Sequence, residues 1–449
     1  MATVVLLFPL NVWAVGATQY GVWITLSTVA LLLYYTDLGI GIAIIHYTSM
    51  GRGGRRLATT SEMLSTAVFL AFCIWLVVAA CFGPLSYMLL QSDFALAALT
   101  DLQARMLIVA ATCVLLAMVF KPFDAIIIGS GFFAYERRNQ VFGSITRIVL
   151  TVGGCIFFRD IVAIALAEAI ALLVPSLCSF YVVTRSRLAA LNFRLASLKT
   201  AKFLTGYSIR SFSVSFTGAL ILQAGVILAS FVGNPASVTY YSAAVRVYSS
   251  VRQVISWTTD PFRPMLSRLW ASDADDARRT LLSCCFITMQ ASMIACLSLI
   301  ASSPWLVPLW LGENMYSSET TLTLCILLGG LLLNVIHIPL ISATDAAGHP
   351  GVFLKAQVAW LAAYLVLGYF LATKFGFVGI ALGMTLPLVL LEPLYWYAAN
   401  RVLQIGLRQW IRFVLAPSLI VVAFPAVAGL LIVLLFGTAW SPVASGIII

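Results

Sequence analysis

Residues 61–90 read SEMLSTAVFLAFCIWLVVAACFGPLSYMLL and contain a single charged side chain, Glu62. A helix of about 20 apolar residues crosses the hydrocarbon core of a bilayer, so this stretch is long enough to span a membrane. Similar stretches follow one another along most of the chain. Hydrophobic residues make up 62% of the sequence and charged residues 9%, whereas roughly a quarter of the residues in a soluble domain are charged. The sequence therefore predicts an all-α polytopic membrane protein and excludes a soluble globular core.

Apolar runs of membrane-crossing length alternate with short polar turns throughout the sequence. We predict helices at 2–17, 20–46, 61–90, 104–131, 140–158, 161–183, 206–232, 236–258, 280–310, 319–346, 351–373, 376–400 and 411–436. One further run begins near Ser441 and reaches Ile449. The chain is thus predicted to have about 14 spans, with the first and last looking truncated.

Lysine and arginine residues are concentrated in every second loop. One side of the predicted membrane carries 18 of them, and the other carries only Arg105, Arg159 and Lys374. Cytoplasmic loops of membrane proteins carry the excess of positive charge. We therefore predict that the basic side is cytoplasmic, that it includes residues 184–203 and 259–279, and that the N-terminus lies inside. The formal net charge of +10 is distributed as topology signals and contacts with anionic lipid require. Nucleic acid is therefore not an expected partner.

A weak internal repeat divides the chain into two halves. Gly16 resembles Gly233 and Pro122 resembles Pro339, both at an offset of 217 residues. This offset predicts two six-helix lobes related by a pseudo-twofold axis along the membrane normal, as in several transporters. The predicted boundaries are an N-terminal lobe at 1–190, a basic cytoplasmic linker at 191–205, a C-terminal lobe at 206–400 and additional helices at 401–449.

Several motifs resemble one known family when taken together. They are VGATQYGVW at 15–23, TDLGIG at 36–41, GRGGRR at 51–56, FVGNPASVTYYSAAVRVYSSV at 231–251 and KFGFVGIALG at 374–383. In these stretches the chain resembles the polysaccharide (O-antigen-type) flippases of the multidrug/oligosaccharidyl-lipid/polysaccharide exporter superfamily. One departure is Gln223, at a position in span seven where several members carry an acidic residue. This departure weakens any transfer of ion coupling through that helix.

The resemblance implies both a transport activity and a location. It implies twelve core helices in two lobes, with two added C-terminal helices, in a bacterial or archaeal cytoplasmic membrane. The implied activity is alternating-access export of a polyprenyl-diphosphate-linked oligosaccharide, such as an O-antigen unit, to the outer leaflet. The implied partners are this lipid-diphosphate substrate, membrane lipid, and a polymerase or other polysaccharide-assembly proteins.

Ionisable residues inside the predicted spans are the candidate site residues, because each costs about 2.5–3.5 kcal/mol at a helix centre on insertion scales. Arginine binds phosphate through a planar, permanently charged fork, so Arg246 is the leading candidate for the diphosphate. Snorkelling to the interface is the alternative for Arg210 and Arg147, and mutual neutralisation for the Lys121–Asp124 pair. The candidate substrate-binding residues are Arg246, Arg252, Arg147, Lys121 and Arg210. The candidate coupling or structural carboxylates are Asp37, Asp124, Glu168 and Glu392.

Enzyme motifs such as HExxH, GxSxG and the P-loop are absent from the sequence. The three histidines, His46, His337 and His349, are too scattered to predict a metal site. No cofactor is expected, and coupling to either a proton or a sodium gradient stays open. Most tryptophans, among them Trp23 and Trp396, are interpreted as an aromatic belt near span ends. The alternative functions are a cation-coupled multidrug extruder and a membrane enzyme of polysaccharide assembly.

Overall fold

The computed structural model describes residues 2–36, 39–50, 59–90, 99–259, 262–312, 316–347, 349 and 351–421. The part of the chain that it describes is helical and contains no β-strand. The helices are α1 (Ala2–Tyr34), α2 (Ile40–Met50), α3 (Thr60–Leu90), α4 (Asp101–Gly129), α5 (Phe133–Gly153), α6 (Ile161–Arg185), α7 (Leu198–Val232), α8 (Pro235–Thr259), α9 (Phe262–Ser272), α10 (Ala274–Leu311), α11 (Ser318–Asn334), α12 (His337–Ala346), α13 (Leu354–Leu403) and α14 (Leu407–Trp410). Short π-helical segments follow α5 and α14, at Gly154–Phe158 and Ile411–Leu415.

Within these described ranges, eight helices are long and apolar enough to cross a membrane, or up to nine if the bent pair α11 and α12 forms one span. Two of the eight contain a break. Gly16 has φ 81° inside α1, and Gly376 has φ 57° inside α13. These breaks coincide with the turns predicted after residues 17 and 373. The multi-pass membrane architecture is therefore confirmed, while the total of about 14 spans and the two-lobe symmetry stay predictions.

Two of the predicted helices are wrong, because the structure interrupts them. The helix predicted at 20–46 ends at Tyr34 and resumes at Ile40, after Gly39 adopts a left-handed φ of 68°. The helix predicted at 319–346 breaks after Asn334, and its two parts differ in direction by 44°. Proline explains this second break, because the ring of Pro339 excludes the carbonyl of Val335, four residues earlier, from a continuous helix.

The chain forms two compact units. The first comprises Met1–Ser250, Ser302–Gly330 and Phe353–Leu391. Its central helix is α4, which packs against α1, α2, α3 and α6. A buried apolar cluster, including Ile44, Leu64, Phe123 and Val183, fills the space among these helices.

The second unit comprises Val251–Ala301, Leu331–Val352 and Glu392–Ile449. Within it α9 packs against α12. The guanidinium of Arg278 donates from Nε to the carbonyl oxygen of Leu403 at 2.9 Å, which ties α10 to the end of α13. The lobe and linker boundaries expected from the sequence repeat stay predictions.

Candidate functional site

Arg246 lies on α8 in the first unit and is only partly buried. Its guanidinium carbon is 5.0 Å from the ring centroid of Phe8 and 5.8 Å from that of Tyr20. Both distances are within the range of cation–π attraction. Among the described residues, no carboxylate lies within ion-pair distance of Arg246, and its guanidinium makes no hydrogen bond. The positive charge is therefore positioned by aromatic rings, while its N–H donors are not taken up by these residues.

The two rings that hold Arg246 come from either side of the break in α1. Gly16 interrupts this helix, so that Phe8 precedes the break and Tyr20 follows it. The two rings meet edge to face with centroids 5.5 Å apart. On its other side Phe8 stacks on Trp310 at 5.6 Å, and the indole of Trp310 donates to the carbonyl of Val5 at 3.2 Å. We call Phe8, Tyr20 and Trp310 the aromatic platform.

Glu168 of α6 lies beside the same platform. Its carboxylate accepts a hydrogen bond from the indole N–H of Trp23 at 2.9 Å and a longer one from the hydroxyl of Tyr20 at 3.4 Å. The hydroxyl of Tyr20 in turn accepts from the amide of Asn11 at 2.9 Å. Tyr20 thus joins two predicted site residues, contacting Arg246 through its ring and Glu168 through its hydroxyl. Glu168 is held by neutral donors and forms no ion pair with Arg246.

Lys121 and Asp124 lie on one face of α4, yet no ion pair joins them among the residues that the structure describes. The ammonium of Lys121 donates to the carbonyl of Tyr34 at 2.7 Å and lies 3.7 Å from the centroid of the Tyr34 ring. This carbonyl belongs to the last residue of α1, where a cation is favoured by the helix dipole. Asp124 interacts with the hydroxyl of Ser179 and, electrostatically, with Lys121. Lys121 therefore caps α1, a contact that the sequence does not predict.

The other predicted basic residues lie on other helices or further along α8. Arg147 on α5 is partly buried. Arg252 is six residues beyond Arg246 on α8 and belongs to the second unit. The side chain of Arg210 and the whole of Asp37 lie outside the described residues.

Glu392 occupies a polar cluster of the second unit. Its carboxylate accepts from the amide of Asn334 at 2.6 Å and from the indole of Trp396 at 2.8 Å. His337 lies next to Asn334, with their side-chain nitrogens 3.4 Å apart. Sequence reasoning missed Asn334 and His337. A signal in the sequence does point to them. Asn334 and His337 are polar, lie three residues apart, and shortly precede Pro339, which breaks the helix.

Comparison with known proteins agrees with the helical architecture. A family model described as polysaccharide biosynthesis protein matches residues 4–270, more than half of the chain. The chain belongs to this family. A search of curated protein sequences gives no match.

Several solved structures are similar to this chain in fold. The chain is similar to a multidrug resistance MATE family transporter of the MOP superfamily in an inward-facing conformation. The TM-score is 0.73, and the identity is 14% over 89% of this chain and 94% of the other. It is also similar to the lipid II flippase MurJ in an inward closed conformation, with a TM-score of 0.69 and 14% identity over 93% of this chain and 89% of the other. A third similar structure is the MATE transporter VcmN of Vibrio cholerae in its bent form, with a TM-score of 0.59 and 16% identity over 90% and 96% of the two chains. The chain therefore shares its fold with these three proteins.

Proposed function

We propose that this protein is a flippase that moves a polyprenyl-diphosphate-linked oligosaccharide, such as an O-antigen unit, from the cytoplasmic to the outer leaflet by alternating access. Membership of a polysaccharide biosynthesis family and the transporter fold support this proposal. One of the similar structures is, by its name, a lipid II flippase. In this proposal the protein lies in a bacterial or archaeal cytoplasmic membrane with its N-terminus inside, and has about 14 spans in two lobes.

The observation that carries the proposal is the state of Arg246. An arginine inside a membrane protein normally finds a partner, because an unpaired charge there is costly. Among the described residues Arg246 makes cation–π contacts with the rings of Phe8 and Tyr20 but no hydrogen bond or ion pair. A guanidinium presents five N–H donors in a fixed plane, which matches two phosphate oxygens. In this proposal the diphosphate of the lipid carrier supplies the counter-charge that none of the described residues provides at Arg246.

In the proposed mechanism, substrate binding and energy coupling use different residues. Arg246 binds the diphosphate, and the aromatic platform fixes the plane of its guanidinium. Arg252, Arg147, Lys121 and Arg210 extend the positive surface in this proposal. A proton or sodium gradient drives the cycle, and Asp37, Asp124, Glu168 and Glu392 are the candidate coupling carboxylates. The polymerase and other assembly proteins receive the exported unit.

Export measured in cells that lack their own flippase tests the proposal. Surface polysaccharide and the amount of protein in the membrane are measured together. We expect Arg246→Ala to reduce export by about 10- to 150-fold at normal protein level, since a hydrogen bond to a charged group contributes about 1.5–3 kcal/mol. Arg246→Lys should restore export only in part, because an ammonium cannot replace the planar fork.

Arg159 provides the matched control for this experiment. Its guanidinium also stacks on an aromatic ring, 4.7 Å from the centroid of Trp13, but it is exposed beside a helix end. Arg159→Ala should therefore leave export unchanged. Normal export by a well-expressed Arg246→Ala protein would contradict the proposal. Efflux of a cationic drug without export of polysaccharide would instead favour the multidrug extruder, and polymerisation without transport would favour the membrane enzyme.

A further inference from the structure

The break between α11 and α12 is buried inside the second unit. Helix α11 ends at Asn334 and α12 begins at His337, and the two intervening residues, Val335 and Ile336, are 0% and 5% exposed. In membrane proteins such irregular backbone occurs where protein covers it or where it lines a polar site. Interrupted helices are also where transporters commonly bind their coupling ions. This break therefore has a setting suited to an ion site.

Two side chains at the break meet a carboxylate from α13. The amide nitrogen of Asn334 is 2.6 Å from Oε2 of Glu392 and 3.4 Å from Nδ1 of His337. The second carboxylate oxygen, Oε1, accepts from the indole of Trp396 at 2.8 Å. The edge of the His337 ring meets the ring of Tyr395, with centroids 4.0 Å apart. The amide of Asn334 thus bridges an acid and an imidazole.

The hydrogen-bonding capacity of these groups allows two complete arrangements. In the first, the NH₂ group of Asn334 donates one hydrogen to ionised Glu392 and the other to Nδ1 of neutral His337. In the second, Glu392 carries a proton and the amide has turned over. Its oxygen then accepts from the hydroxyl of Glu392 and from an N–H at Nδ1 of His337. The second arrangement holds one more proton, on Glu392, and the neutral imidazole of His337 carries its hydrogen on Nδ1 instead of Nε2. In neither arrangement does a hydrogen of one group point at a hydrogen of another.

The donor set favours a proton over sodium. Sodium, like other hard cations, requires several oxygen ligands. Here both oxygens of Glu392 already accept N–H donors, and the nearest atoms of Asn334 and His337 are nitrogens. Among the described residues no group of three His, Cys, Asp or Glu side chains comes together that could hold a metal ion. A proton needs only one lone pair, which Glu392 has.

The charges around the site determine where the proton resides. Arg252 of α8 acts electrostatically on His337, and Tyr395 of α13 packs against its ring. Helix α9, which packs against α12, carries Arg268 as an exposed side chain. A positive charge that acts on the imidazole disfavours a second positive charge there, so in this proposal the added proton neutralises Glu392 and His337 stays neutral.

We propose that Glu392, Asn334 and His337 form a proton-binding site of the second unit, in which protonation of Glu392 turns over the amide of Asn334. The proton comes from water on one side of the membrane, bonds to a carboxylate oxygen, and is released to water on the other side. His337 meanwhile exchanges its Nε2–H for an Nδ1–H with water, so the imidazole keeps one proton and stays neutral. Asn334 is the last residue of α11 and His337 the first of α12, so protonation changes the contact that spans the bend. The use of this proton to drive export rests on the proposed function.

Infrared difference spectra of the purified full-length protein in nanodiscs, recorded between high and low pH without substrate, test the site. We expect a carbonyl band of a protonated carboxylic acid that Glu392→Gln removes. Glu62→Gln is the control, because Glu62 also accepts a hydrogen bond, from the hydroxyl of Thr200 at 2.6 Å, and is not a candidate coupling carboxylate. The band should persist in this variant. A band that persists in Glu392→Gln overturns the proposal.

A second variant covers the case in which Glu392→Gln does not fold. Asn334→Leu keeps the carboxyl group but removes the bridging amide, so the band should move to higher frequency because the hydroxyl of Glu392 loses its hydrogen-bond acceptor; an unmoved band overturns the proposal. Replacing choline chloride with sodium chloride should leave the band intact, and its loss would identify a sodium site instead. Arg246→Ala should keep the band, so failure of the proton site and failure of diphosphate binding give different results.

Discussion

The crossing of α1 and α8 provides a steric test of the fold. A Cβ atom added at Gly21 would lie 1.8 Å from the carbonyl oxygen of Pro235, the first residue of α8. Ordinary contacts begin at 3.4 Å, so Gly21→Ala requires the helices to separate by about 1.6 Å. The hydroxyl of Thr239 donates to the carbonyl of Ala17 at 2.6 Å across this crossing, and that hydrogen bond would be lost. Small residues at such positions let membrane helices approach closely.

The expected cost of Gly21→Ala combines two contributions. Overpacking costs typically 1–3 kcal/mol, and the lost hydrogen bond about 1 kcal/mol. Together they amount to about 2–4 kcal/mol, which corresponds to a fall in Tm on the order of 5 °C. Thermal unfolding followed by the reaction of buried cysteines with a thiol dye measures this change.

Two variants control for this reasoning. Gly218→Ala places its Cβ where no atom lies within 4 Å, so its Tm should stay equal or rise, because alanine favours the helix over glycine. Thr239→Val removes the hydrogen bond alone and should lower Tm by only a fraction of the Gly21→Ala effect. Equal melting of Gly21→Ala and Gly218→Ala would refute the close crossing.

Two further side-chain contacts and the predicted membrane orientation can each be tested. Trp23→Phe removes the 2.9 Å donor to Glu168 and should destabilise the protein by about 1–3 kcal/mol, seen as a lower Tm. Arg278→Ala should accelerate proteolysis near the end of α13, because it removes the 2.9 Å hydrogen bond to that helix end. Asp275→Asn should not, because the Asp275 side chain is 76% exposed and its ion pair with Arg278 is of a kind that contributes about 0–1 kcal/mol. A cysteine placed within 184–203 of a variant lacking the nine native cysteines should react with an impermeant thiol reagent only after cell lysis; reaction in intact cells would contradict the predicted orientation.

Much of the helical architecture follows from the apolar runs alone. The helix predicted at 61–90 is observed at Thr60–Leu90, and the one predicted at 161–183 is observed at Ile161–Arg185. These ends are predictable because polar residues that cap helices lie beside charged turns, as with Asp160, whose carboxylate accepts from the backbone N–H of Val162. Interruptions within apolar runs are harder to predict. The bend next to Pro339 has apolar sequence on both sides, so a hydropathy profile does not reveal it.

The contacts around the candidate sites could not be predicted from one sequence. Glu168 meets Trp23 across 145 residues of chain, and no local pattern encodes such a pairing. Tryptophans illustrate the difficulty. Trp23 is completely buried and Trp396 donates to Glu392, although both were expected in an aromatic belt. Position near a span end indicates a membrane interface, but whether an indole N–H faces lipid headgroups or a buried carboxylate depends on how the helices pack.

The sequence alone predicts that Arg246 lies deep within a membrane span, but it does not predict which residues contact it. A charged residue in the middle of an apolar helix predicts a function or a buried pair. The structure excludes Glu168 as an ion-pair partner and shows two aromatic rings instead, one from each side of the Gly16 break. This distinction matters because a guanidinium held by rings keeps its hydrogen-bond donors for a ligand.

Equilibrium binding of a polyprenyl diphosphate to the purified protein in nanodiscs tests the central claim most directly. The wild-type protein should bind the diphosphate more tightly than the corresponding monophosphate. Arg246→Ala should raise the Kd for the diphosphate by about 10-fold or more, corresponding to at least about 1.4 kcal/mol, while Arg159→Ala leaves it unchanged. An Arg246→Ala protein that folds normally and binds the diphosphate with wild-type affinity would contradict the account.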